Sequence, residues 1–74
     1  MQTFQDLIAQ WDTVAAFAVD VDVPYQRARK WRDRNNIPPE YWPKVVSACR
    51  SRGLAGINPV KLMTFAGNVR RERA

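Results

Sequence analysis

Apolar residues recur along this chain at steps of three and four, interrupted wherever a capping or breaking residue stands, and that pattern predicts a series of short helices. Phe4, Leu7, Ile8 and Trp11 form the first apolar stripe. Thr3 precedes it as a cap, and Asp6 at the third helical position completes a capping-box pattern. Asp12 and Thr13 cap a second, short helix over residues 14–19, whose apolar residues cover most of its circumference. A turn over 20–23 follows. Pro24 suits the first turn of a third helix, where a missing N–H costs nothing and φ is already set. Residues 25–34 then run without a breaker to Asn35 and Asn36. On this helix Ala28 and Trp31 share the inward stripe, while Gln26, Arg29, Lys30 and Asp33 fall on another side.

Ile37, Pro38 and Pro39 make a stiff connector, because a residue before proline is pushed away from helical ψ. A fourth helix is expected to begin near 39–42, with Pro43 in or next to its first turn and Trp42, Val45, Val46 and Cys49 on one side. Cations near its negative pole and Gly53 past the last turn end it. Asn58 and Pro59 restart the chain as cap and first residue of a fifth helix, with Leu62, Phe65, Ala66 and Val69 as its stripe. Gly67 weakens that helix by about 1 kcal/mol relative to alanine, so its last turns are expected to fray or to need a partner. Arg70, Arg71, Glu72 and Arg73 read as a basic tail, either solvated or touching phosphate. The architecture expected is an all-α, compact bundle of four to five short helices, one domain over 1–74 with a small core. Trp11 and Trp31 are read as core residues, not stacking platforms, because each continues an inward stripe.

Composition narrows the chemistry. The hydrophobic share is 46%, ordinary for a globular chain. No apolar run approaches the roughly 18 residues of a membrane span, and no cationic-then-apolar signal opens the chain. A cytoplasmic protein is expected, nucleoid-associated if it binds DNA. Cys49 is the only cysteine, which rules out an internal disulfide and any multi-cysteine metal site. The chain has no histidine, so zinc and histidine acid–base chemistry are excluded by inventory. Without such a partner Cys49 reads as a small buried apolar residue. Gly53, Gly56 and Gly67 fit no phosphate loop, and the one carboxylate pair, Asp20 and Asp22, reads as a solvated acidic turn. The expectation is therefore a protein that is not an enzyme, with no cofactor, metal or small-molecule ligand.

Charge placement says more than the total. The net charge is +5, yet residues 1–26 hold four aspartates and no Lys or Arg. Residues 27–34 then hold Arg27, Arg29, Lys30, Arg32 and Arg34 against Asp33 alone. A chain that needed only solubility would mix its signs. Cations gathered on one helix are the footprint of a phosphate-binding face.

At Ala18, Asp22, Val23 and Trp31 the chain resembles the Cro and repressor class of helix-turn-helix regulators from phage and bacteria. In that class a small residue is followed four places later by a turn residue, then a hydrophobic one, with a bulky residue nine places after the turn. The residues Ile37 to Trp42 also look like that family's link into its next helix, so the resemblance covers about 14–42. One departure is Asp22 where glycine is commonest, although Asp is among the few residues that tolerate left-handed φ. The resemblance implies sequence-specific binding of double-stranded DNA by a transcriptional regulator, most simply a repressor, with 24–35 as recognition helix. Carried over position by position, it makes Tyr25, Gln26 and Lys30 base-contacting, with Arg29 beside them. Arg27, Arg32 and Arg34 are then phosphate clamps, and Thr13 contacts the backbone from the preceding helix's N-terminus. Two-fold dimers of such regulators set their recognition helices about 34 Å apart. Here Leu62, Phe65 and Val69 are expected to supply the homodimer contact, because four earlier helices are taken to close the core. Alternative outputs are DNA bending, as in recombination accessory proteins, and an antirepressor-like protein-binding module.

Overall fold

Capping chemistry sets the first helix, α1 (Phe4–Ile8). The Thr3 hydroxyl accepts from the Asp6 amide at 3.2 Å, and the Asp6 carboxylate accepts from the amides of Gln2 at 2.9 Å and Thr3 at 3.3 Å. The expected capping box is therefore formed. It is followed by α2 (Val14–Val21), α3 (Tyr25–Arg34), a 3-10 turn (Pro39–Tyr41), α4 (Trp42–Ser51) and α5 (Pro59–Arg73). The computed structural model describes residues 1–73, with side chains through Arg71. The fold is all-α, and no described helix is long and apolar enough to cross a membrane.

Three helices stop by the same device. Asp22, Asn35 and Gly53 adopt left-handed φ of 63°, 53° and 78°. In each case the next amide closes back onto the helix: Val23 donates to the Ala18 carbonyl, Asn36 to Trp31 and Leu54 to Cys49, at 3.0, 3.0 and 2.9 Å. This is the Schellman closure, and it satisfies carbonyls that the helix leaves open. Asp22 thus takes the left-handed conformation anticipated for it. The same closure lengthens α2 beyond 14–19, because Val21 is buried and belongs to the last turn. Only residues 22–24 connect α2 to α3, a connection of helix-turn-helix length. Pro24 is the N-cap of α3, and the 3-10 turn carries the chain into α4 with Pro43 in its first turn.

The core is built from every predicted stripe. Phe4, Leu7, Ile8 and Trp11 are buried, although α1 ends at Ile8 and a turn delivers Trp11. Rings run in a continuous series from Trp11 to Phe17, Trp31 and Tyr41, with centroids 5.0, 6.4 and 5.0 Å apart. A second group places Phe4 edge-on to Phe65 at 5.8 Å and tilted against Trp42 at 6.5 Å. Cys49 is buried, as expected, and burial pushes its thiol up to about 11.

One expectation is overturned. Leu62 and Phe65 are fully buried and Val69 is 6% exposed, so this stripe closes the core of its own chain and is not free for a second copy. The reason is the shortness of α1: five residues cannot cover both sides of Phe4, and α5 covers the side that Trp42 leaves open. The apolar residues that α5 does expose are Val60 and Met63. The helix also continues past Gly67 to Arg73, so the residues expected as a basic tail extend it. Two further residues outside the expected stripes, Ile37 and Ile57, are buried in the loops that enter α4 and α5.

Candidate nucleic-acid interface

Ala28 and Trp31 are buried, and by doing so they decide which side of α3 meets solvent. A helix turns 100° per residue, so Gln26, Arg29, Lys30 and Asp33 must then lie on the outward side. All four are exposed, as is Tyr25 at the first helical position. The Asp22 turn and the Pro24 cap fix where this helix starts, and Asn35 fixes where it stops.

The basic side chains sort into two groups. Gln26, Arg27, Lys30 and Arg34 converge with Asn36 in a shallow groove of about 440 Å³, whose floor includes Trp31. Their spacing brings Arg27, Lys30 and Arg34 onto one flank of α3, with about 10 Å of rise between the first and last. A second hollow of about 310 Å³ places Arg32 beside Thr13 and Asp12 at the N-terminus of α2. There the Thr13 hydroxyl accepts from the Ala16 amide at 3.0 Å and caps the helix, leaving its own proton to donate outward. Tyr25 and Arg29 border neither hollow and stand on the open face.

Arg27, Arg29 and Arg32 are each held by a neighbour. Arg27 donates through Nη1 to the Tyr41 hydroxyl at 2.7 Å, and its guanidinium lies 5.3 Å from the centre of that ring. Arg32 meets the Asp33 carboxylate at 3.1 Å, and Arg29 reaches the other oxygen of the same carboxylate at 3.9 Å. These pairs are exposed, so each stabilises the fold by at most about 1 kcal/mol. Their consequence is local: Arg32 is half-buried and its charge is partly neutralised by Asp33.

Sequence reasoning missed four participants. Tyr41 and Asn36 approach α3 from the connector, and no short spacing announces a contact between Arg27 and a residue fourteen places on. Asp33 was visible on the outward face, but its double pairing was not. Gln5 and Asn35 form a clamp: the Gln5 amide donates to the Asn35 side-chain oxygen at 2.9 Å, and its side chain donates to the Arg32 carbonyl at 2.8 Å. The open Gln5 amide of α1 is thereby satisfied by the residue that ends α3, and the Arg32 carbonyl, which also accepts the Asn35 amide at 3.1 Å, gains a second donor. Asp20, expected to be merely solvated, accepts from the Trp11 indole at 2.6 Å. Trp11 itself is 4% exposed and has no open face for a base.

The chain matches no known protein family, no curated protein and no solved structure.

Proposed function

We propose that this chain is a sequence-specific double-stranded DNA-binding regulator of the Cro and repressor type, acting as a repressor by occupying its operator. The observation that carries the reading is the division of α3: two buried residues orient it, and all seven exposed ones carry hydrogen-bonding or charged side chains. The major groove is about 12 Å wide and admits a helix of this kind. Gln26 pairs with adenine N6 and N7, and Lys30 and Arg29 with guanine O6 and N7. Tyr25 offers its ring to a thymine methyl or its hydroxyl to a phosphate. Arg27 and Arg34 hold one phosphate strand. Arg32 and Thr13 take a phosphate at the N-terminus of α2, where the helix dipole favours an anion.

Selective binding also calls for a second copy, because one recognition helix reads only a few base pairs. The protein measures 32 × 25 × 22 Å, so two copies with their long dimension along one face of a duplex would reach one another at the spacing of about one DNA turn. With Leu62, Phe65 and Val69 committed to the core, α5 still offers Val60 and Met63, which are 71% and 61% exposed and one helical turn apart, as the contact. Met63 also borders an apolar groove of about 450 Å³ that includes Ile37, Pro39 and Trp42.

The test is selection of bound fragments from sheared genomic DNA by the pure protein, followed by gel retardation on the enriched site. A short, two-fold symmetric site with steep salt dependence is expected. A long footprint on bent DNA would favour the architectural role. Failure to retard any duplex at low salt would sink the DNA reading and favour the protein-binding module.

A further inference from the structure

Arg27 is held by an aromatic residue from another element, Tyr41. Tyr41 ends the 3-10 turn that follows Pro38, and its own amide donates to the Pro38 carbonyl at 3.0 Å. Its ring rests on the Trp31 indole with centroids 5.0 Å apart, and Trp31 is 5% exposed. The ring is therefore fixed from behind by a buried residue and along the chain by a short helical turn. From that fixed position the hydroxyl accepts the 2.7 Å hydrogen bond from Arg27. A guanidinium carries five N–H groups, so four remain after this bond. The phenol's own proton is also left to donate.

We propose that Tyr41 is a positioning residue for DNA recognition: it holds the Arg27 guanidinium so that the remaining N–H groups of the arginine are presented, already oriented, to one backbone phosphate. This rests on the DNA reading of α3. An unrestrained arginine surrenders rotamer freedom on binding, whereas one already tethered surrenders less. Planar, multidentate donation is also what suits arginine to a phosphate oxygen pair. The connector between α3 and α4 thus acquires a role beyond joining helices, since it delivers the residue that fixes the clamp.

The experiment measures affinity for the selected duplex by fluorescence anisotropy over a salt series, for the wild type, Tyr41→Phe, Arg27→Ala and the double variant. It adds ¹⁵N relaxation of the Arg27 Nε–H in the free protein. Tyr41→Phe keeps the ring on Trp31 and removes only the hydroxyl. It should weaken binding about two- to tenfold, with the salt slope unchanged. Arg27→Ala should weaken it on the order of ten- to a hundredfold and reduce the slope by about 0.9. In the Arg27→Ala background, Tyr41→Phe should cost nothing further, and in the free protein it should loosen the Arg27 Nε–H. Additive losses, or an Arg27 Nε–H equally ordered without the hydroxyl, would overturn the positioning role while leaving DNA binding intact. A wild type that binds no duplex while Arg27 stays ordered would overturn the DNA reading and this proposal with it.

Discussion

α3 and α5 look alike on paper. Each has an apolar stripe on one side and several arginines, and each is started by a proline, Pro24 as the cap of α3 and Pro59 as the first residue of α5. In the folded chain they do opposite things. α3 buries only Ala28 and Trp31 and turns its polar side outward. α5 buries Leu62, Phe65 and Val69 and leaves Val60 and Met63 exposed beside its cations. Periodicity tells which side of a helix is turned inward. It does not tell whether the inside belongs to the same chain or to a partner. That depends on how much apolar surface the other elements leave open, and in a small domain they leave a great deal. Here the opening is Phe4, which needs a ring on each side.

The sharpest way to break the comparison is to empty each stripe in turn. Trp31→Ala and Phe65→Ala should each cost about 3–5 kcal/mol, enough to unfold a domain this small at ordinary temperature. Phe65→Asp should be worse, since it buries an unpaired carboxylate. Circular dichroism against temperature reads all three. A folded Phe65→Asp monomer would restore α5 to the role of a free dimerisation helix.

The outward sides should separate by function. Gln26→Ala and Lys30→Ala are expected to weaken the preferred site by about 1–3 kcal/mol each while nearly sparing non-specific DNA. Arg34→Ala should weaken both together and flatten the salt dependence by about one unit of slope. Arg32→Ala should do the same, reduced by the share of its charge that Asp33 already neutralises. Equal behaviour of all four would remove the distinction between base readers and phosphate clamps. On α5, Val60→Glu with Met63→Glu should leave melting within a few degrees of wild type. It should abolish any dimer seen by sedimentation on a two-fold site. A dimer that survives this pair lies on another surface.

These contrasts also mark what could be read from the residues and what could not. Local chemistry was legible: the Thr3 and Asp6 box, the Thr13 cap and left-handed Asp22 each depend on residues within four places. The buried sides of all five helices were legible for the same reason, since one period spans them. Contacts between distant elements were not. The Tyr41 hydroxyl on Arg27, the Asn35 clamp on Gln5 and the closure of Phe4 by Phe65 depend on how helices are arranged in space. Ile37 was hidden for a related reason: placed between Asn36 and two prolines it reads as connector, yet the backbone there turns its side chain fully into the core.

The smallest effect concerns the helix that joins the two regions. α1 binds α3 through Gln5, and the Gln2 carbonyl just before it accepts from the Asn68 side chain of α5 at 2.7 Å. Asp6 holds that N-terminal turn, accepting from the Gln2 and Thr3 amides. These bonds, led by the one from Gln2, hold its carboxyl below the usual range against a smaller opposing effect of burial. The charged form is therefore favoured in the folded state more than in the unfolded chain. Its contribution is present above the unfolded carboxylate value, about 3.9, and is lost as pH falls through the lower folded value. Other aspartates titrate nearby, so the informative quantity is a difference. The melting temperature of wild type should fall more steeply than that of Asp6→Asn between about pH 5 and pH 2.5, and the two curves should converge at the acid end. Thr3→Ala, which removes the other half of the box, should cost about 0.5–2 kcal/mol at neutral pH. Parallel pH curves for wild type and Asp6→Asn would show that the carboxylate is not what fastens α1 between α3 and α5.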